Sequence, residues 1–354
     1  MGLLSGFTMM RNASKLYSPA VESVRSALPL VDEFVVALGR GDPDDDTEER
    51  LRAVRDPKMR IIERTWDPRH FRDGAVFARE AGYALGQCKS TWCLYLPADE
   101  VLHEQDLFTI REHCRRYRYD FRVEGFLFDY LNFWGDYDHH LDSHGIRRRE
   151  IRIVRNGIGV FPCLDGASFR KAPNAKLRVI RLPARIYHYG YVRPPALMAI
   201  ARHVQEAIRA GRDVSIAEAS VRAPPAYEYG PLGALPRFGG THPPVMRGLI
   251  QRFDWSDRLD YGKRTFAHLV RHDHERLGCR ALSWFERRFT GNRDLMRWSN
   301  YKLISPRPPR SAGLGQVVPV PLGGAPPTRE GPCGGVPSRA PRSSLGDPSA
   351  NPGR

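Results

Sequence analysis

Apolar residues in the first hundred positions alternate between runs and helical spacing. Leu3 to Met10 is a short apolar run closed by Arg11-Asn12, the pattern of a buried strand. Pro19 to Leu28 sets Val21, Val24 and Leu28 at helical spacing and stops at Pro29. Asp32 to Leu38 holds a second buried-strand pattern, Phe34-Val35-Val36-Ala37-Leu38, closed by Gly39. Thr47 to Val54 predicts a helix with Thr47 as its cap and Leu51 and Val54 on one face. Lys58 to Glu63 predicts a strand and Asp73 to Cys88 a helix. Trp92 to Leu96 predicts a strand running directly into Pro97-Ala98-Asp99-Glu100. Strands separated by helices of this length imply right-handed crossovers and a mainly parallel sheet.

The order changes after residue 100. Leu107 to Tyr117 reads as a helix, and Val123 to Tyr130, Ile151 to Val154 and Arg185 to Tyr189 as strands with long polar connections. From Pro194 the chain turns helical: Leu197, Ile200, Ala201, Val204 and Ile208 form one apolar stripe, and Phe266 to Phe289 predicts a second helical stretch. The last 50 residues hold 12 of the 29 prolines, 9 of the 32 glycines and no aromatic residue, so burial there cannot offset the entropy of ordering. The expected organisation is an α/β domain over 1–195, a helical C-terminal extension over 196–304, and a disordered Pro/Gly-rich tail over 305–354.

Composition narrows the class. With 41% hydrophobic residues, the chain of 354 can bury a real core. It has no apolar run long enough to span a bilayer. Met1 to Met10 lacks the layout of a signal peptide, so none is expected. Cys88, Cys93, Cys114, Cys163, Cys279 and Cys333 form no C-x-x-C pair and no zinc-type spacing, which suits a reduced, cytoplasmic protein. The net charge of +15 asks for an anionic partner. The tail carries +4 of it, leaving +11 on the rest, spread along the chain with no basic block.

Candidate chemistry collects at predicted strand ends. Leu94-Tyr95-Leu96 delivers Asp99 and Glu100 at the edge where open α/β sheets bind ligands. Hard carboxylate ligands there suit Mg²⁺ or Mn²⁺ together with a substrate diphosphate. An acidic helix start would look the same. Arg11 and Asn12 follow the first strand, where Arg suits phosphate and Asn a base or ribose. The acidic loop Asp42 to Thr47 follows the second, and Arg72 and Arg79 flank a helix start.

In this order the pieces resemble the family 2 glycosyltransferases, which have the GT-A fold. Gly6-Phe7-Thr8-Met9-Met10-Arg11-Asn12 is similar to the family's first strand and nucleotide loop. Glu33 to Gly39 with Asp45 and Thr47 is similar to its second strand and acidic loop. The helix bearing Arg79 and the strand ending at Asp99 are similar to its approach to the metal motif. The resemblance covers residues 3–104 and extends to about residue 195. One position departs: Pro97 stands where the usual Asp-any-Asp motif begins. Ala98-Asp99-Glu100 resembles a subset with a single Asp followed by Glu and a downstream His-aromatic motif, here Tyr187-His188-Tyr189-Gly190-Tyr191-Val192-Arg193.

That resemblance implies a GT-A-like (Rossmann-like) sheet flanked by helices and an inverting transfer from a nucleotide-diphosphate sugar to a hydroxyl. It implies a divalent metal, Mn²⁺ or Mg²⁺, on Asp99, Glu100 and His188. Arg11, Asn12, Asp45, Arg79 and Arg193 become donor-binding candidates. Asp165 becomes the candidate base, with Glu124 and Asp129 as competitors. The implied partners are a nucleotide-sugar donor, a glycan or lipid-linked acceptor in glycan or polysaccharide biosynthesis, and a peripheral membrane contact, without specific nucleic acid. The alternative reading is a non-catalytic basic protein binding nucleic acid or an anionic membrane surface. A nucleotidyltransferase would share the sheet, but its Gly-rich Arg-Lys loop after the first strand is missing here. The Asp138 to His144 cluster reads as a polar loop, since it meets no zinc spacing. His272-Asp273-His274 reads as part of a solvated helix with the two imidazoles on different faces. Gly239 to Pro244 reads as a tight turn.

Overall fold

The computed structural model describes residues 2–163, 165–263, 272–290 and 299–306. Most of the predicted tail, and residues 266–271 of the second predicted helical stretch, lie outside them. The first half follows the predicted alternation: β1 (Leu4–Met10), α1 (Ala20–Ala27), β2 (Glu33–Gly39), α2 (Thr47–Arg52), β3 (Met59–Arg64), α3 (Ala75–Gly86) and β4 (Trp92–Tyr95). Then come β5 (Glu100–Leu102), α4 (Glu104–Arg116), β6 (Gly125–Trp134), β7 (His140–Leu141), β8 (Arg149–Arg155), the β9 (Val160–Cys163) and β10 (Ser168–Lys171) hairpin, and β11 (Leu177–Tyr191). The remainder holds α5 (Pro195–Arg209), α6 (Ile216–Arg222), α7 (Arg247–Gln251), α8 (Leu277–Phe289) and β12 (Tyr301–Leu303).

The main sheet runs β12-β11-β6-β8-β4-β1-β2-β3, and along this path only β8 is reversed. The fold is therefore α/β with a mainly parallel sheet, as the alternation predicts. β2 and β4 are near-continuous apolar runs because both faces are covered. Phe34, Val36 and Leu38 of β2 pack into one core with Val24, Leu51 and Ile110 of α1, α2 and α4. Val35 and Ala37 point the other way, into a second core with Ala81, Ala84 and Leu85 of α3. The period of two along a strand divides the two cores.

Three local expectations are corrected. Thr47 does not cap α2; Asp46 occupies that position without a side-chain cap bond, and the Thr47 hydroxyl instead donates to Asp45 at 2.8 Å and accepts from the Ser14 amide. Arg185 to Tyr189 is only the end of a 15-residue strand, because exposed arginines alternating with apolar residues hide its first half. His272 caps, and His274 lies within, a short turn over Asp273–Glu275 rather than the two sitting on opposite helix faces, and their rings stack at 5.3 Å. The chain beyond α5 also returns to the sheet, where β12 pairs parallel with β11.

Candidate functional site

The sheet topology makes a crevice. β1 is followed by β2 on one side, while β4 lies on its other side, so the C-terminal ends of β1 and β4 form the switch point where open α/β sheets admit ligands. Asn12 lies just past β1 and Asp99 just past β4. The Asp99 loop is fixed mostly by contacts that do not use its carboxylate. Ser23 Oγ donates to the Pro97 carbonyl at 3.0 Å, the Glu100 amide closes a turn on the same oxygen, and the Leu102 amide donates to Ser26 Oγ. The Tyr189 amide donates to the Asp99 carbonyl at 2.8 Å, tying the loop to β11. Pro97 thus shapes the loop where its side chain cannot bind a metal.

β11 brings His188 to the same point. His188 Nε2 lies 3.4 Å from Asp99 Oδ2. Burial alone would raise the Asp99 pKa, but the charges of His188 and Arg193, with hydrogen bonds from His188 and the backbone, outweigh it and hold the carboxyl at about 2. His188 Nδ1 is buried without a hydrogen-bond partner. Between the two side chains lies Gly190: a Cβ there would sit 2.5 Å from Asp99 Oδ2 and 2.6 Å from His188 Nε2. The missing side chain leaves a cradle onto which a carboxylate oxygen and an imidazole nitrogen converge. These donors fit a divalent ion that takes further ligands from water and a diphosphate. No group of three or more His, Cys, Asp or Glu able to hold a metal occurs among the described residues. A divalent ion held on this cradle would meet the added methyl of Gly190→Ala, which would cut its affinity by roughly 10–100-fold, the scale of disturbing a ligand's support. Calorimetric Mn²⁺ titration checks it.

Glu100, expected beside Asp99 as a metal ligand, is committed elsewhere. It begins β5, is 3% exposed, and both its oxygens accept from Arg152 at 2.7 Å while one also accepts from the Tyr130 hydroxyl at 2.8 Å. The turn at Pro97 sends its side chain into the sheet interior, and Arg152, lying over both the Tyr95 and Tyr130 rings, neutralises it.

The five donor-binding candidates differ in their surroundings. Asn12 and Asp42 exchange two hydrogen bonds: the Asp42 amide donates to Asn12 Oδ1 at 2.7 Å, and Asn12 Nδ2 donates to Asp42 Oδ1 at 3.0 Å. Asp45, half-buried beside Thr47, has its pKa raised chiefly by burial. Arg11 makes two bonds to Asp213, at 2.8 and 3.3 Å, and lies over Trp66. Arg193, expected to reach phosphate, is 6% exposed and donates to the Gly190 carbonyl at 2.7 Å and to Ser18 Oγ, with Nε unpartnered. Arg79 is exposed on α3.

Asp165 occupies a left-handed backbone position (φ 53°) in the turn before β10. Its Oδ2 accepts from Arg209 at 3.1 Å, and Arg147 lies 3.9 Å from Oδ1. Asp165, Asp99 and Glu100 all act on the buried Tyr95 hydroxyl, whose pKa is raised first by burial and then by these carboxylates against Arg152. The competitors are structural: Glu124 is 3% exposed and bonded to Lys171 and Arg178, and Asp129 pairs with Arg149 and Arg181.

The segment from α5 to α6 reaches three of these residues: Arg209 to Asp165, Asp213 to Arg11, and the Ile216 amide to Asp42 at 2.9 Å. Asp42 lay in the quoted acidic loop, but nothing in the sequence links Asp213 to a partner 202 positions away. The lesser clusters resolve as packing. His139 pairs with buried Asp136 at 2.9 Å, and His144 with buried Glu286 at 2.8 Å. In the turn at Gly239 to Pro244, Thr241 meets His103 at 3.0 Å and His242 meets the Tyr189 hydroxyl at 2.8 Å, bracing the strand that carries His188. A surface cavity of about 610 Å³, lined by residues including Asp106, Asp129 and Arg185, contains of the candidates only Asp129, the competitor base paired with Arg149 and Arg181.

No protein-family profile matches the chain, and no curated protein matches its sequence. Among solved structures it is similar to TarS of S. aureus at 14% identity and TM-score 0.33, over 61% of this chain and 41% of that one, so it spans well under half the length of that protein. TarS 1-349 in complex with UDP matches at 13% identity and TM-score 0.32, over 61% and 68%. Glucosyl-3-phosphoglycerate synthase from Mycobacterium tuberculosis, in complex with Mn2+, UDP and phosphoglyceric acid, matches at 18% identity and TM-score 0.25, over 36% and 43%.

Proposed function

We propose that the chain is a glycosyltransferase of the family 2 kind, with a GT-A-like domain over residues 1–195. It moves a sugar from a nucleotide diphosphate to an acceptor hydroxyl with inversion, in cytoplasmic glycan or polysaccharide biosynthesis. One observation supports this above the others. At the switch point of a mainly parallel sheet, Asp99 and His188 converge at 3.4 Å on the space left by Gly190.

Asp99 and His188 would hold Mn²⁺ or Mg²⁺, which supplies positive charge against the departing diphosphate. Asn12 and the loop at Asp42 to Asp45 receive the base and ribose. Arg11 exchanges Asp213 for a phosphate oxygen, and exposed Arg79 adds charge at the same edge. Arg193 serves from within, its charge holding Asp99 ionised and its guanidinium fixing the Gly190 carbonyl. In a single displacement the acceptor oxygen forms its bond to the anomeric carbon as the bond to the diphosphate breaks, and the hydroxyl proton passes to Asp165. Acceptor entry displaces Arg209 and frees Asp165 Oδ2 to take that proton.

The test is a thermal-shift panel of UDP-, GDP-, dTDP- and CMP-sugars, each with and without Mn²⁺. One nucleotide is expected to raise Tm with Mn²⁺ and much less without it, since a ligand at 100 times its Kd adds about 2.7 kcal/mol to stability. No shift with any donor would remove the reading.

A further inference from the structure

No described helix is long and apolar enough to cross a membrane. One is built to lie on a surface. α8 buries one face: Ser283 and Glu286 are 3% and 0% exposed. Glu286 accepts from His144 at 2.8 Å and Arg148 at 2.6 Å, and Ser283 Oγ accepts from the His144 amide at 2.7 Å. This pins the helix to the segment that also carries Arg147 beside Asp165.

The opposite face is unlike an ordinary solvated one. Leu277 is 77% exposed, Trp284 59%, Phe285 43% and Phe289 61%. Their spacing of seven, eight and twelve residues from Leu277 sets them on one side. The rings touch one another, Trp284 to Phe289 at 5.8 Å and Phe285 to Phe289 at 4.8 Å, so the apolar surface is contiguous. Arg280 flanks this stripe and Arg288 lies within it, its guanidinium 5.6 Å from the Phe289 ring centre, while Arg276 before the helix pairs with Asp273 at 3.1 Å. No acid shares the exposed face; the helix's one carboxylate, Glu286, is buried on the other side.

We propose that α8 docks this protein on an anionic lipid bilayer, its aromatic rings entering the headgroup boundary and its arginines meeting lipid phosphates. Exposed Trp and Phe beside Arg is the chemistry of an interfacial helix, and charge complementarity selects the anionic lipid surface as occupant. A partner helix or a second copy would equally cover the rings, but neither would call for arginines around them. The inference stands on α8 alone and does not depend on the sugar-transfer reading.

The test is co-sedimentation of the full chain with vesicles of phosphatidylcholine alone and of phosphatidylcholine mixed with phosphatidylglycerol. The chain is expected to bind the anionic vesicles and leave the neutral ones. The triple variant Trp284→Ser, Phe285→Ser, Phe289→Ser is expected to lose roughly 10-fold or more in affinity. Arg280→Gln with Arg288→Gln is expected to lose roughly 5-fold per arginine on anionic vesicles. All five positions are exposed, so thermal unfolding should match the parent and exclude misfolding as the cause. Undiminished binding by the triple variant would overturn the proposal by moving the contact elsewhere. So would absent vesicle binding in the parent, whether it sediments as a monomer or as a dimer that the triple variant abolishes.

Discussion

Asp99→Ala is expected to lower Mn²⁺-dependent donor turnover by roughly 10²–10³-fold, the scale of losing one preorganised electrostatic contact to a developing charge. The fold should survive, because the Asp99 loop is held by Ser23, Ser26 and the Tyr189 amide. The Asp99 side chain is itself 29% exposed. Initial rates of donor hydrolysis with and without Mn²⁺, alongside thermal unfolding, separate the two effects. An Asp99 that only pairs with His188 would give the reverse result: reduced stability and unchanged turnover.

The adjacent carboxylate behaves oppositely. Arg152→Met is expected to destabilise the protein by about 3–5 kcal/mol, because it leaves Glu100 charged and buried with only the Tyr130 hydroxyl as partner. The double variant Glu100→Leu with Arg152→Met should recover much of that loss, since replacing both members of a buried pair by apolar groups costs far less than removing one. Urea unfolding of parent, single and double variants measures it. Parent-like stability in the single variant would show that the pair carries little of the core.

Two neighbouring acids with opposite fates show what the sequence could and could not tell. The strand-helix alternation to residue 100 was legible because each strand there is an apolar run bounded by Gly, Pro or a polar turn. Asp99 was legible from its place after such a strand. The fate of Glu100 was not, because it depends on Arg152 arriving on β8, 52 residues later. Arg11 shows the same limit. Its residue type suits phosphate, but its present partner, Asp213, lies across the fold. The first half of β11 was hidden by its exposed arginines, whose alternation marks one open face rather than a loop. His188 and Asp99 came together only through the long strand β11, whose first half has no local signature. Gly190 sat in plain view in the quoted run, yet its use, as the space between two side chains, is a property of packing.

The central claim is that Asp99 and His188 jointly hold a donor diphosphate through a divalent ion. The most direct measurement is the Mn²⁺-dependent thermal shift with the preferred nucleotide sugar, in the parent chain and in Asp99→Ala and His188→Ala. The Mn²⁺-dependent part of the shift is expected to disappear in Asp99→Ala and to fall sharply in His188→Ala. The same Mn²⁺-dependent shift in all three proteins would contradict it.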